Sequence, residues 1–119
     1  MITFEKVTLE NESVVKEMFG SHSLGEKKVQ YCVKVDDTYI GVIDYSVQEE
    51  NAILSQLIIH FDYQGYGYGT NTYFTLEEMM KQRGIKEIKV LQEQLTEQAT
   101  SFIESFGFIE VDEMYVKKI

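Results

Sequence analysis

Three alternating glycines between two regular segments are the part of this sequence best suited to chemistry. They occur in the segment Tyr63-Gln64-Gly65-Tyr66-Gly67-Tyr68-Gly69-Thr70, after an apolar strand-like run and before a helical pattern. Because glycines allow a tight turn without obstructing side chains, the amides of Gly67, Gly69 and Thr70 can converge at the start of the helix. Such N–H groups, together with the helix dipole, bind an anion, most often a pyrophosphate. The donors must be backbone groups, since this segment contains no Lys or Arg.

Two familiar phosphate loops do not fit this spacing. A Walker A loop needs a Gly-Lys-Ser/Thr ending, and the residue directly before Thr70 is Gly69 rather than a lysine. A dinucleotide-binding loop has the spacing G-x-G-x-x-G, whereas the spacing here is G-x-G-x-G, and the segment after Gly69 is too short for the rest of such a fold. A glycine-rich turn without a ligand stays open as an alternative, although each ordered glycine costs roughly 0.5–1 kcal/mol of entropy.

The patterns on either side of the loop predict one mixed α/β domain over residues 1–119. Period-2 alternation and apolar runs predict strands, while apolar residues at helical spacing predict helices. Asn11 is expected to cap the first helix, and Gly20, Gly84 and Gly107 to end the three helices. The predicted order is strand 2–7, helix 11–20, strands 29–35, 39–47 and 52–61, helix 69–84, strand 85–90, helix 99–107, and one or two strands in 108–119.

Composition limits the partners that this chain can have. The 119 residues carry 20 Asp+Glu against 11 Lys+Arg, for a formal net charge of -9, and 44% of them are hydrophobic. The apolar content excludes a disordered chain, and the negative charge argues against duplex nucleic acid as a partner. Excess carboxylates often serve solubility alone, and attraction of cationic small molecules is the functional alternative.

Cysteine and histidine are too few for a disulfide or a thiol metal cluster. Cys32 is the only cysteine, in an alternating run typical of a strand, and we interpret it as structural. His60 and His22 are the only histidines, so no metal site is expected, and His60 is interpreted as a hydrogen-bonded histidine at a strand end. No apolar run reaches the ~20 residues that span a membrane, and no signal peptide is evident, so a cytoplasmic location is predicted.

Two segments resemble motifs of the GCN5-related N-acetyltransferases (GNAT). The acetyl-CoA loop of that family reads Gln/Arg-x-x-Gly-x-Gly/Ala, and Gln64, Gly67 and Gly69 match it. A second family segment, Ala-x-x-φ-Tyr-x-x-x-Gly-Phe, is partly matched by residues 99–108, from Ala99 to Phe108. The resemblance covers about residues 29–119 and implies an acyl-CoA N-acyltransferase-like fold with a mostly antiparallel central sheet, a βαβ crossover and three to four helices.

The resemblance also implies a binding site for acetyl-CoA as co-substrate. The main chain of Leu57, Ile58 and Ile59 would pair with the pantetheine arm and the acetyl carbonyl. The pyrophosphate would lie on backbone amides of the loop, and further residues would line the pantetheine arm from the other side. The implied cofactor-binding residues are Leu57, Ile58, Ile59, Gln64, Gly65, Tyr66, Gly67, Tyr68, Gly69, Thr70, Thr96, Phe102 and Ile103.

The sequence departs from the family at positions that handle protons. Ile103 stands where the family often has a tyrosine that protonates the leaving thiolate, and Thr96 stands where an asparagine is common. The resemblance implies that an acid or histidine base on the strand before the loop would fall near Ile53 or Ser55, and neither residue is a base. This leaves Glu50 and Glu93 as weak catalytic candidates, each also interpretable as a solvated turn residue.

Three functional hypotheses follow. The first is an acetyl-CoA-dependent N-acetyltransferase that acts on a primary amine of a small or peptidic, cationic acceptor, with a homodimer completing a thin acceptor wall. The second is a CoA-binding regulatory or interaction domain without catalysis. The third is a structural domain that pairs through its last strand and does not bind CoA.

Overall fold

The computed structural model describes residues 1–19, 30–92 and 97–119. Its order of elements matches the prediction, with two strands at the carboxyl end. The elements are β1 (Ile2–Lys6), α1 (Glu12–Phe19), β2 (Tyr31–Val35), β3 (Thr38–Gln48), β4 (Asn51–Ile59), α2 (Tyr68–Gln82), β5 (Glu87–Leu91), α3 (Glu97–Glu104), β6 (Ile109–Val111) and β7 (Met114–Lys118), with a 3-10 turn (Phe61–Tyr63) between β4 and α2.

The seven strands form one mixed sheet in the order β1-β2-β3-β4-β5-β7-β6. The pairs β1/β2, β2/β3, β5/β7 and β6/β7 are antiparallel. Strands β4 and β5 are parallel and are connected through α2, with Asn51–Ile53 opposite Glu87–Lys89, and β4 continues beyond these pairs to Ile59. The predicted mostly antiparallel sheet with a βαβ crossover is therefore confirmed.

Strand β2 is buried on both faces, although the alternation of its residues is typical of a strand with one buried face. The neighbouring side chains Cys32 and Val33 are both buried, with 1% and 0% of their surface exposed. Successive side chains of a strand point to opposite faces, so both faces of β2 are covered. The register with β3 also shifts between Val33 and Lys34. The alternation in the sequence therefore indicated a strand correctly, but it did not show which side chains are buried.

Asn11 precedes α1 as predicted, but its side chain bonds backwards along the chain. Its amide oxygen accepts a hydrogen bond from the Thr8 N–H at 2.7 Å, and its amide nitrogen donates to the Lys6 carbonyl at 3.0 Å. Asn11 therefore holds the turn between β1 and α1. The predicted helix end at Gly20 lies outside the described residues.

Contacts divide the chain into two compact units, and a single domain over residues 1–119 stays a prediction. The first unit contains Met1–Asp44 and Gln56–Leu76, and the second contains Tyr45–Ser55 and Glu77–Ile119. In the first unit Val15 packs with Cys32 and Val42 as a hydrophobic cluster. In the second, the buried carboxylate Glu77 forms ion pairs with Lys117 and, at 3.8 Å, with Lys81. The core of the second unit includes Tyr45, Ala52, Leu54, Met80, Ile85, Ile88, Val90, Ile103, Phe106, Phe108 and Tyr115.

None of the helices in the described ranges is long and apolar enough to cross a membrane.

Candidate functional site

Helix α2 begins with a set of backbone amides that have no acceptor. Its first hydrogen bond runs from the Asn71 N–H to the Gly67 carbonyl at 3.0 Å, which makes Gly67 the N-cap. Helix geometry then leaves the N–H groups of Gly67, Tyr68, Gly69 and Thr70 without an intrahelical acceptor. Nor does any other group in residues 1–19, 30–92 and 97–119 accept from them. Four donors at the positive end of a helix dipole are therefore available to a ligand.

The turn before these amides depends on two glycines. Gly65 and Gly67 have φ angles of 87° and 82°, in the left-handed region that side chains with a Cβ rarely adopt. A Cβ built on either residue would meet no heavy atom within 4 Å, so the backbone there is uncovered. Tyr66 between them is 72% exposed. The loop is thus a tight turn with an accessible backbone, as its sequence predicts.

The charges along the loop and its flanking residues favour a ligand held by amides rather than by cationic side chains of this segment. From His60 to Leu76 the one formally charged side chain at neutral pH is Asp62, and it is exposed. Helix N-termini of this kind bind pyrophosphates and phosphates through several N–H groups at once. The residues present therefore fit the diphosphate group of a CoA-type ligand.

Hydrogen bonds join the loop to the end of β4. The Gln64 side-chain nitrogen donates to the Ile59 carbonyl at 2.8 Å, and the His60 N–H donates to the Ile40 carbonyl at 2.8 Å. His60 Nδ1 also accepts from the Asp62 N–H at 3.2 Å, which caps the 3-10 turn and agrees with the interpretation of His60 as a hydrogen-bonded strand-end residue. The structure thus brings together the predicted residues 57–59 and 64–70 in the first unit.

The other predicted binding residues are in the second unit or outside the described residues. Phe102 lies on α3 with 36% of its surface exposed, and the centre of its ring is 4.6 Å from the centre of the Phe106 ring. Ile103 is buried, with 5% of its surface exposed. Thr96 lies outside the described residues.

The structure describes one of the two catalytic candidates. Glu50 is an exposed turn residue, and the group it contributes to the fold is its carbonyl oxygen, which accepts from the Lys86 N–H at 2.8 Å. Glu93 lies outside the described residues. Among the residues that the structure describes, no group of three His, Cys, Asp or Glu side chains could hold a metal ion.

A second group of titratable side chains lies on β1, β2 and β3. The Tyr39 hydroxyl donates to Glu5, and this hydrogen bond lowers the pKa of Glu5 and raises the pKa of Tyr39. Lys34 lies 3.9 Å from the same carboxylate and 4.9 Å from the Tyr39 ring centre, and its charge lowers the Glu5 pKa further. Burial raises the pKa of the Cys32 thiol, which supports a structural rather than a nucleophilic cysteine. Glu5, Lys34 and Tyr39 thus contact one another, in contrast to the free amides of the loop.

Sequence reasoning missed two contributions to the site. The Gln64 side chain was assigned no partner of its own, and no local pattern predicts its bond to Ile59. Gly41 on β3 was not considered, although an isolated glycine inside a strand pattern often indicates a close backbone approach. A Cβ at Gly41 would lie 2.3 Å from the Ile58 carbonyl oxygen.

Comparisons with known proteins agree with this fold. The model of the acetyltransferase (GNAT) family matches residues 4–108. A search of curated proteins finds no significant match. Among solved structures, an acetyltransferase from Thermus thermophilus superposes with a TM-score of 0.80 at 16% identity, covering 100% of this chain and 97% of that one.

Two further solved structures show the same fold. The ribosomal-protein-S18-alanine N-acetyltransferase of Escherichia coli gives a TM-score of 0.77 at 16% identity, covering 100% of this chain and 94% of that one. The PaiA N-acetyltransferase of Thermoplasma acidophilum, solved in complex with coenzyme A, gives 0.73 at 18% identity, with coverages of 100% and 99%. At these identities the likeness establishes the fold, and the family match establishes the membership. The chain belongs to the GNAT family of acetyltransferases, which use acetyl-CoA as the acetyl donor.

Proposed function

We propose that this protein is an N-acetyltransferase that transfers the acetyl group of acetyl-CoA directly to a primary amine. The observation that carries the proposal is the set of unpaired amides at Gly67, Tyr68, Gly69 and Thr70, behind a turn whose backbone is uncovered. Several N–H groups converging at a helix start suit the diphosphate of CoA, and no side-chain cation is needed for this.

The end of β4 is suited to hold the reactive end of the same ligand. Gln64 ties the loop to Ile59, so that a molecule on the loop amides can extend along the main chain of Leu57–Ile59. Bound acetyl-CoA supplies an activated acyl group as a thioester. The contribution of the protein is to hold acceptor and donor in one geometry and to direct backbone N–H groups at the acyl oxygen.

Among its described residues, the proposed site has no identified side chain that could act as general acid or general base. Ile103 cannot act as an acid, and Glu50 is a turn residue at the surface. Positioned acid–base groups usually contribute about 10²–10⁴-fold to a rate. A slower transfer is therefore possible without such groups, through the orientation of donor and acceptor, the thiol as leaving group and water as the proton carrier.

A cationic acceptor is favoured by the charge of the chain. The formal net charge is -9, and a cavity of about 900 Å³ in the second unit is lined by two carboxylates and by no cation among its described residues. The lining residues of this acidic cavity are Leu91, Gln92, Asp112, Glu113 and Met114. Carboxylates at such a surface attract ammonium groups, as in polyamines, aminoglycosides or lysine side chains.

Calorimetry and thermal shift with CoA, acetyl-CoA and NAD test the binding half of the proposal. We expect CoA and acetyl-CoA to bind, and to stabilise the protein by about 2.7 kcal/mol at a concentration of 100 times Kd. NAD, which also has a diphosphate but lacks the pantetheine arm, serves as the control and should give a much smaller shift. Absence of any effect from millimolar acetyl-CoA would overturn the proposal.

The transfer itself separates this proposal from its alternative, a CoA-binding regulatory domain without activity. Radiolabelled acetyl-CoA would be incubated with spermidine, kanamycin and a lysine-containing peptide, with glutamate and aniline as acceptors that are not net cations. We expect labelled product from at least one cationic amine, well above the rate without enzyme. Binding of acetyl-CoA without transfer to any amine would support the regulatory domain instead.

Two finer expectations accompany the proposal. A homodimer that completes the acceptor wall stays a prediction, and mass measurement in solution tests it, with a monomer counting against it. The cytoplasmic location also stays a prediction.

A further inference from the structure

Gly41 occupies a position on β3 where no larger residue fits. A Cβ at this residue would lie 2.3 Å from the carbonyl oxygen and 3.2 Å from the carbonyl carbon of Ile58, both backbone atoms of β4. It would also lie 3.1 Å from Cδ1 of Ile59. The first distance is far below van der Waals contact, and backbone atoms cannot rotate away as a flexible side chain can. An alanine therefore requires β4 itself to shift.

The Ile58 carbonyl that lies over Gly41 fixes the direction of the next amide. In a planar trans peptide the C=O of one residue and the N–H of the next point in opposite directions. With the Ile58 oxygen directed at β3, the Ile59 N–H is directed away from β3. The hydrogen bonds on either side agree, because the His60 N–H donates to Ile40 on β3, whereas the Ile59 carbonyl accepts from Gln64 of the loop.

We propose that Gly41 is a positioning residue for acyl transfer, which makes room for the Ile58 carbonyl and so directs the Ile59 N–H towards the acyl oxygen of the donor. This inference rests on the proposed function, since it assumes that acetyl-CoA lies along the end of β4. Gly41 itself touches neither substrate. The space above it sets the orientation of one peptide group in the neighbouring strand.

The variant Gly41→Ala tests the inference, with Val33→Ala as the matched control. Val33 lies opposite Gly41 in the register of β2 and β3 and is fully buried, so its truncation loosens the same strands without pushing on Ile58. Calorimetry with CoA and with acetyl-CoA measures the preference for the acetyl group. The amide NMR signal of Ile59 is compared in the two complexes, and kcat and KM are measured with the best amine of the panel.

In the wild-type protein and in Val33→Ala we expect acetyl-CoA to bind about two- to tenfold more tightly than CoA, the range of one neutral hydrogen bond. The Ile59 amide signal should differ between the two complexes. In Gly41→Ala we expect CoA to bind within about threefold of wild type, because the loop amides are intact. The acetyl preference and the signal difference should vanish, and kcat should fall at least about tenfold with little change in KM.

If Gly41→Ala does not fold alone, it is refolded with excess CoA, whose binding stabilises the folded state by mass action. Displacement of that CoA by acetyl-CoA then measures the acetyl preference, which should be retained in Val33→Ala and lost in Gly41→Ala. An unchanged Ile59 signal difference and kcat in Gly41→Ala would overturn the inference, as would equal losses in Val33→Ala. The wild-type complexes provide a further test, since an Ile59 amide signal that is identical with CoA and with acetyl-CoA would also overturn it. If the wild-type protein binds neither CoA nor acetyl-CoA, the proposed function itself fails.

Discussion

The two ends of helix α2 use the same residue type for opposite purposes. At the start, Gly65 and Gly67 have φ angles of 87° and 82°, and the amides that follow have no acceptor. At the end, Gly84 has a φ of 79°, but here the polar groups are paired. The Gly84 N–H donates to the Lys81 carbonyl at 3.1 Å, and the Ile85 N–H donates to the Met80 carbonyl at 2.9 Å.

This comparison shows that glycine content and backbone conformation alone do not identify a binding site. A Cβ at any of these three glycines would meet no atom within 4 Å, so the space around them does not distinguish the ends either. The distinction lies in the hydrogen bonds. The carboxyl end closes its own bonds in a Schellman motif, while the amino end leaves four donors for a partner.

The largest expected effect comes from deleting one loop donor. Tyr68 is the first residue of α2, where proline is tolerated because its missing N–H has no helical acceptor. Tyr68→Pro should weaken CoA binding about 10–100-fold relative to Tyr68→Ala, since a hydrogen bond to a charged group is worth about 1.5–3 kcal/mol. Calorimetry measures the difference, and circular dichroism checks that the helix content is unchanged. Equal affinities of the two variants would mean that the amides do not hold the ligand.

A substitution at the carboxyl end of α2 should change the stability of the protein but not its affinity for CoA. Gly84→Ala places a Cβ in the left-handed conformation and should lower the free energy of unfolding by about 1 kcal/mol. Gln82→Ala, at an exposed position within the same helix, is the control and should change stability much less. Denaturant unfolding measures both variants. A tenfold loss of CoA affinity in Gly84→Ala would contradict the separation of the two ends.

Between the two ends of α2, removal of one buried hydroxyl group should stabilise the protein rather than destabilise it. The Thr72 hydroxyl is fully buried and has no hydrogen-bond partner among the described residues, whereas the Thr75 hydroxyl donates to the Asn71 carbonyl at 2.8 Å. Thr72→Val should raise the free energy of unfolding by about 1 kcal/mol, because a buried unsatisfied group is removed. Thr75→Val, the matched control, should be neutral or slightly destabilising. A loss of stability in Thr72→Val would show that its hydroxyl has a partner in solution.

The smallest expected effect concerns salt. A site made of lysines and arginines loses affinity for an anion as salt rises, because the charges are screened. Here the ligand would meet amides on a protein of net charge -9, so we expect the Kd for CoA to change by less than about twofold between 50 and 300 mM salt. Asp62→Asn should strengthen binding slightly at low salt only. A steep loss of affinity with salt would indicate cationic side chains that the loop itself does not contain.

Much of the fold was predictable because its signals are local. The glycines that end α2 and α3 were predicted correctly, since a positive φ after a helix favours glycine whatever lies around it. The strand and helix order followed from periodicity. The burial of both faces of β2 was not predictable from its alternation, because coverage of a strand depends on what packs on it.

The sequence by itself determined that a turn of glycines precedes a helix and that no cation lies in it, which is sufficient to predict an anion site made of amides. The tertiary structure alone decided that no other described group accepts from these amides, how Gln64 ties the loop to Ile59, and that Gly41 lies under the Ile58 carbonyl. The physical reason is distance along the chain. Helix starts and turns depend on adjacent residues, whereas the orientation of a peptide in β4 depends on the register with β3, which the pattern of either strand does not specify.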